Sequence, residues 1–229
     1  MVPIDPHSRA QNTWPRVSKS ALLKFEEIKL IRYEHSLRGR RVPIFAPRQP
    51  IRNAFATARA NGEWFIVGQR SAFRALSRLA MFSAVHHPAI VYVRLQGKPR
   101  PPFDQEESHD LVLLQSSTQF RPAAWKQIRN NLAPGRPCSF SVPEPDIEMD
   151  RPDARRVLDR FDLAQHSATV FVTGSELLLR YFAHQLRRMT RCKTPGDHDH
   201  FFELARNEHR CGQVDDMTMM YWRFVKESP

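Results

Sequence analysis

The segment from Glu63 to Leu95 restricts the possible folds more than any other part of the chain. Trp64-Phe65-Ile66-Val67 is an unbroken apolar run closed by Gly68. A run with no polar face fits a strand buried on both sides, as in the middle of a parallel sheet. Ser71 is placed to cap a helix in which Phe73, Leu76, Leu79 and Ala80 recur at helical spacing, while Arg70, Arg74 and Arg78 share another face at i, i+4 and i+8. Pro88 interrupts this pattern, and Ala89 to Leu95 supplies a second apolar run. Strand, helix and strand in about 30 residues make a βαβ unit rather than a bundle or a sandwich.

The upstream sequence extends the alternation. Ser18 or Ser20 heads a segment whose Leu23, Ile28, Ile31 and Leu37 fit one face of a helix ended by Gly39. Val42 and Ile44 alternate with Arg41 and Pro43 in a short strand, and Pro43, with no N–H to donate, is expected at a sheet edge. The turn Ala46-Pro47-Arg48-Gln49 leads to Pro50 and a second helix, with Ile51, Ala54, Phe55 and Ala58 as its apolar stripe and Asn61-Gly62 as its stop. Residues 1–17 are proline-rich and apolar-poor, the composition of an extended arm.

Downstream, residues 99–152 have the composition of a connector: several prolines, acidic residues at Asp104, Glu106, Glu107, Glu144, Asp146, Glu148 and Asp150, a short strand at Leu111–Leu114 and a small helix carrying Trp125, Ile128 and Leu132. Residues 153–229 form a C-terminal α/β extension. Its expected elements are a short helix at Ala154–Phe161, a strand at Ala168–Thr173, a helix from the Ser175 cap to about Met189, a short helix at His200–Asn207, and an apolar tail, MTMMYWRFV, whose period chooses neither helix nor strand. The segment TVFVTGSELLLRYFAHQL echoes EWFIVGQRSAFRALSRL, although two copies of so common a local solution do not establish a repeat.

Charge separates the two halves. The chain carries a formal net charge of +11, but residues 1–100 hold 18 Lys+Arg against 5 Asp+Glu, and residues 101–229 hold 17 against 19. Arg outnumbers Lys by 28 to 7, and the guanidinium forks onto phosphate and stacks on bases. A polyanion, most naturally nucleic acid, therefore faces the first half. The densest group is Arg38, Arg40, Arg41, Arg48 and Arg52, around the first strand and its turn, with Arg70 and Arg74 next along the chain.

No catalytic constellation accompanies this charge. A nucleophile with a base and an orienting carboxylate, paired carboxylates on one element, a phosphate-binding loop and a dinucleotide glycine fingerprint are all missing from the sequence. Gly68-x-x-Ser71 offers one helix N-terminus to an anion, but a single glycine serves equally well as a turn. Cys192, His198, His200, His209 and Cys211 lie within twenty residues and supply zinc-type donors, yet their spacing lacks paired C-x2-C knuckles and suits an ordinary charged loop, so no metal is assigned. Three cysteines without close spacing point away from a disulfide framework and toward a reducing compartment. No apolar run approaches the ~18 residues that span a bilayer, so no membrane insertion is expected. Arg9, Arg16 and Lys19 stand among serines, but Asp5 and three prolines make this a poor secretory signal and a weak transit peptide.

The order helix, "SLRGRRVPIF", turn "APRQ", helix "PIRNAFATA", strand "GEWFIVG", helix "SAFRALSRLAMF" and strand "AIVYVRLQGK" resembles the N-terminal domain of the stalk-base ribosomal protein family of the large subunit (ribosomal protein ten), most closely its mitochondrial branch. The likeness covers residues 18–98 and rests on residue classes; residues 100–229 are unlike the family's insert domain and stalk-binding helix. It implies an α/β, βαβ-type three-layer domain, Rossmann-like, seated on ribosomal RNA beside neighbouring ribosomal proteins and the acidic stalk proteins, in the mitochondrial matrix. Arg38, Arg40, Arg41, Arg48, Arg52, Arg70 and Arg74 are then the expected RNA contacts, in a structural, non-enzymatic constituent of the ribosome with no cofactor. Two other classes stand beside it: an accessory subunit of a mitochondrial membrane complex, and a zinc-dependent enzyme acting on nucleic acid.

Overall fold

A computed structural model describes residues 24–37, 39–58, 63–132, 134–145, 161–200 and 216–221. The fold is mixed α/β. Its strands are β1 (Phe25–Leu37), β2 (Arg40–Pro47), β3 (Ala54–Ala58), β4 (Glu63–Gly68), β5 (Ile90–Val93), β6 (Asp110–Gln115), β7 (Arg136–Pro143), β8 (Phe161–His166), β9 (Thr169–Gly174), β10 (His198–His200) and β11 (Asp216–Tyr221). The helices are α1 (Arg70–Val85), α2 (Trp125–Asn130) and α3 (Glu176–Met189). Seven strands form one mixed sheet in the order β7-β1-β2-β5-β6-β9-β8, and four form a second in the order β10-β11-β4-β3.

Helices α1 and α3 pack on each other and on one face of the large sheet. Phe73, Leu76, Leu79 and Phe82 of α1 and Leu178, Leu179, Phe182 and Leu186 of α3 join Leu30, Phe45, Val91, Val93, Leu111, Leu113, Val170 and Val172 in the main core. The small sheet adds Ala54, Ala56, Trp64, Ile66, Met217, Met219 and Tyr221 to that core. Its other face carries Phe55, Phe65 and Val67 under Phe103. On the opposite face of the large sheet, Trp125 and Ile128 of α2 cover Ile44, Tyr92, Val112, Leu114 and Phe171. Each fully buried aromatic or aliphatic side chain contributes about 1.5–3 kcal/mol to these cores.

The expected elements from Glu63 to Leu95 are present as β4, α1 and β5, but connected differently from a simple βαβ unit. Strand β5 runs parallel to β2, through Ile44↔Ile90 and Phe45↔Val91, whereas β4 lies in the small sheet between β3 and β11. The expected strands at Leu111–Leu114 and Ala168–Thr173 are β6 and β9, which pair in parallel. Ser175 caps α3 as expected, its Oγ accepting the Leu178 N–H at 3.2 Å. The cap of α1 differs: Gln69 is the cap residue and Ser71 lies inside the helix.

Several segments depart from the sequence expectation. The helix expected from Ser18 to Leu37 is, over Phe25–Leu37, strand β1; residues 18–23 lie outside the described residues. Ile28 and Leu30 are buried while Glu27 and Lys29 are exposed, a period of two, and antiparallel pairing with both β2 and β7 decides the conformation. Pro43 is not at an edge, since β2 lies between β1 and β5. It is tolerated there because the ladder to β5 begins only at Ile44, leaving β1 alone beside it.

The helix expected from Pro50 to Ala58 is instead a bridge at Ile51 to Leu95, a turn, and strand β3. Asn53 adopts the left-handed conformation, with φ +56°, which ends any helix begun at Pro50. Ala54 and Ala56 serve close packing rather than helix propensity: a Cβ on Gly97 would lie 2.5 Å from the Ala54 backbone. Within the expected connector, Arg136–Pro143 is the edge strand β7, a position that accommodates its prolines. The MTMMY of the apolar tail belongs to β11. Of the short helices expected at Ala154–Phe161 and His200–Asn207, residues 154–160 and 201–207 lie outside the described residues, while Phe161 opens β8 and His200 ends β10.

Candidate nucleic-acid interface

The arginines singled out by sequence fall into separate places. Arg40 and Arg41 are exposed at the β1–β2 hairpin, opposite Leu37 and Ser36, next to Gly39, whose φ of +77° makes the turn. Arg38, at the same turn, lies outside the described residues. Arg48 and Arg52 are exposed at the other end of β2. Seven residue-to-residue steps of extended chain lead from Arg41 to Arg48, roughly 23 Å at about 3.3 Å per step. The basic cluster is therefore two groups joined by the length of one strand.

The two arginines of α1 diverge as well. Arg70 is half-buried, its Nε donating to the Cys192 carbonyl at 2.7 Å and its guanidinium 5.4 Å from the centre of the Tyr221 ring. It ties α1 to the segment after α3 and to β11. Arg74, one turn later, is exposed. Arg40, Arg41, Arg48, Arg52 and Arg74 have no ion-pair partner among the described residues.

Beside Arg48 lies a cleft of about 360 Å³ between β1, the turn after β2 and the first half of α1. Its walls include Ile28, Leu30, Ile51, Ala72, Ala75 and Leu79, with Lys29, Gln49, Arg52, Asn53 and Ser71 supplying polar groups. The turn is held rigidly: Ile51 N–H bonds to the Arg94 carbonyl at 2.9 Å, and the Asn53 carbonyl accepts the Gln69 N–H at 3.1 Å. The first turn of α1 contains no acidic residue and no side-chain cap, so the positive end of its dipole is uncompensated. The cleft thus sits at the carboxyl end of β2, where an open α/β sheet commonly presents ligand sites.

Lys29, Asn53, Arg78 and Arg94 belong to this region and are not distinguished as site residues by the sequence pattern. Arg94 is exposed directly after β5, as Arg48 is after the neighbouring parallel strand β2, and this equivalence is the one signal that could have found it. Arg78 is already engaged. It forms a charge-assisted hydrogen bond to Glu26, whose other oxygen lies 3.6 Å from Arg187, while Arg187 also bonds Glu144 at 2.9 Å. The bond from Arg78 holds the Glu26 carboxyl below the usual glutamate range; partial burial opposes this, and the charges of Arg78, Arg187 and Arg74 reinforce it.

Other polar clusters are structural ties. Asp110 accepts hydrogen bonds from Tyr92 Oη at 2.6 Å and Leu95 N–H at 3.2 Å, with Arg129 at 3.9 Å. Burial, followed by the hydrogen bond to Asp110, pushes the Tyr92 hydroxyl well above its ordinary pKa. His109 is buried next to Gln165 and its pKa is lowered by desolvation. Of the cysteine–histidine window, Cys192, His198 and His200 are described, the two histidines at the ends of β10; His209 and Cys211 lie outside the described residues. No group of three or more metal-ligating residues occurs among the described residues. No helix there is long and apolar enough to cross a membrane.

Comparisons with protein-family models, with curated proteins and with solved structures gave no match to this chain.

Proposed function

We propose that the protein is a non-enzymatic, RNA-binding component of a ribonucleoprotein particle, and that the particle is the large subunit of a mitochondrial ribosome. The observation that carries the RNA reading is the set of five exposed arginines, Arg40, Arg41, Arg48, Arg52 and Arg74, none with an ion-pair partner among the described residues. Exposed guanidinium groups spread over the length of a strand suit successive phosphates of one backbone better than a single small anion. The parallel pair β2 and β5, with α1 in the connection between them, supports a Rossmann-like reading of this half. The choice of a ribosome rests on the family resemblance of residues 18–98, in which two segments expected to be helical are largely strands.

The test uses the full-length chain and a single-stranded oligoribonucleotide in a salt series. Replacing Arg40, Arg41 and Arg48 together by Ala should weaken binding and reduce the slope of log K against log salt by about 2, since each lost phosphate contact on a single strand removes ~0.7. Unchanged affinity and slope would remove these residues from the interface. For the particle, sedimentation after detergent treatment is decisive: the protein should travel with large ribosomal subunits, and its absence from them counts against the ribosomal assignment.

A further inference from the structure

The cleft between β1 and α1 differs from the arginine-bearing surface around it in being concave and largely aliphatic. Its 360 Å³ lies near the small end of the ~300–1,000 Å³ typical of small-molecule sites, which admits one planar base and its sugar but excludes a duplex. The wall is built from Ile28, Leu30, Ile51 and Leu79, all buried side chains fixed by the main core. Such a wall is already formed before a ligand arrives, so little ordering entropy opposes binding. The rim is mixed in charge. Lys29 and Arg52 are exposed cations, Glu27 is a single carboxylate, and Arg78 is committed to Glu26. Gln49 and Asn53 add amide groups able to donate and to accept.

An apolar wall, amide groups at its mouth and two cations with no ion-pair partner among the described residues at its rim match the three parts of a nucleotide. We propose that the cleft takes one nucleotide of a bound single-stranded RNA, the base lying against Ile28, Ile51 and Leu79 and the phosphate held by Lys29 and Arg52. Arg48, next to the lining residues Pro47 and Gln49, and Arg74, next to the lining residue Ala75, are exposed and contact the flanking phosphates. Single-stranded RNA is commonly read in this way, by withdrawing an unstacked base into a pocket, whereas a duplex keeps its bases paired. This inference rests on the RNA-binding reading and adds to it a strand preference and a place for one base.

Ala75 lines the cleft and is half-buried, so Ala75→Phe fills the space without altering a charge. Fluorescence anisotropy of the full chain with a ten-nucleotide single-stranded RNA and with a ten-base-pair RNA duplex should show about tenfold weaker single-strand binding for the variant, with the same salt slope and unchanged duplex binding. Wild-type affinity in a variant that unfolds at the wild-type temperature overturns the cleft proposal and leaves RNA binding intact. Failure of the wild-type protein to bind either RNA overturns both. Should Ala75→Phe not fold, photocrosslinking of the wild-type chain to 4-thiouridine RNA tests the same point independently. Adducts on residues 47–53 or 71–79 support the cleft, and adducts confined elsewhere overturn it.

Discussion

At the scale of single residues, Glu26 is the point where the basic surface meets the fold. Its carboxylate is shared between Arg78 of α1 and Arg187 of α3, and so fastens strand β1 to both helices. The ordinary glutamate pKa is about 4.3, and the folded value lies below it, so the stabilisation is complete above the ordinary value and lost as pH falls through the lowered one. Glu26→Gln should therefore cost about 1 kcal/mol at pH 7, a modest figure because the groups remain partly solvated. The difference from wild type should narrow toward pH 3. Urea unfolding at the two pH values measures this, and a constant difference would contradict the assigned pairing. Arg70 shows why a residue's role resists inference from sequence spacing. It shares an i, i+4, i+8 stripe with Arg74 and Arg78, yet one is tied to a carbonyl 122 residues away, one is exposed, and one is paired to β1.

At the scale of elements, the legible parts were those whose signal is local. Strand β4, helix α1 and strand β5, and again β9 and α3, are announced by an apolar run, a glycine, and a helical stripe within a few residues. Ser175 is the clearest of these signals, because its hydroxyl does in the fold what its position promises. Ser175→Ala should lower stability by about 1 kcal/mol in a chemical denaturation series. Of the elements missed, β3 forms a hairpin with the adjacent β4, while β1 and β7 are held by each other from distant parts of the chain. Phe25 pairs with Pro143 and Arg32 with Arg136, and nothing near either segment reveals the other. In β1 the alternation at Ile28 and Leu30 was present but brief, and Leu23, Ile28, Ile31 and Leu37 happened also to fit a helix. In β3 the alanines carried helix propensity, while the left-handed Asn53 and the close approach of Gly97 required an extended chain. The candidate site followed the same division: Arg48 and Arg52 were visible as charge, but the cleft beside them needs β1 and α1 to meet.

For the whole molecule, the two sheets join parts of the chain that the charge distribution separates. The acidic-leaning half supplies β7 to the edge beside β1, and β11 to the interior of the small sheet beside β4. Met217, Met219 and Tyr221 of β11 are buried in the main core. Ending the chain after residue 215 should therefore do more than remove a tail. It should broaden or abolish the cooperative thermal transition, monitored by near-ultraviolet circular dichroism, whereas a retained sharp transition would show β11 to be dispensable.

The pairing of β11 with β4 also sets an order of events during synthesis. Strand β4 leaves the ribosome some 150 residues before its parallel neighbour, since Glu63 must wait for Asp216 and Gly68 for Tyr221. Throughout that interval one side of β4 has its backbone donors and acceptors unsatisfied, and its apolar side chains lack part of their cover. Such an edge invites pairing with other nascent chains. The protein should thus depend on holdase chaperones more than its size suggests, and slowing translation should lengthen its exposure rather than assist its folding.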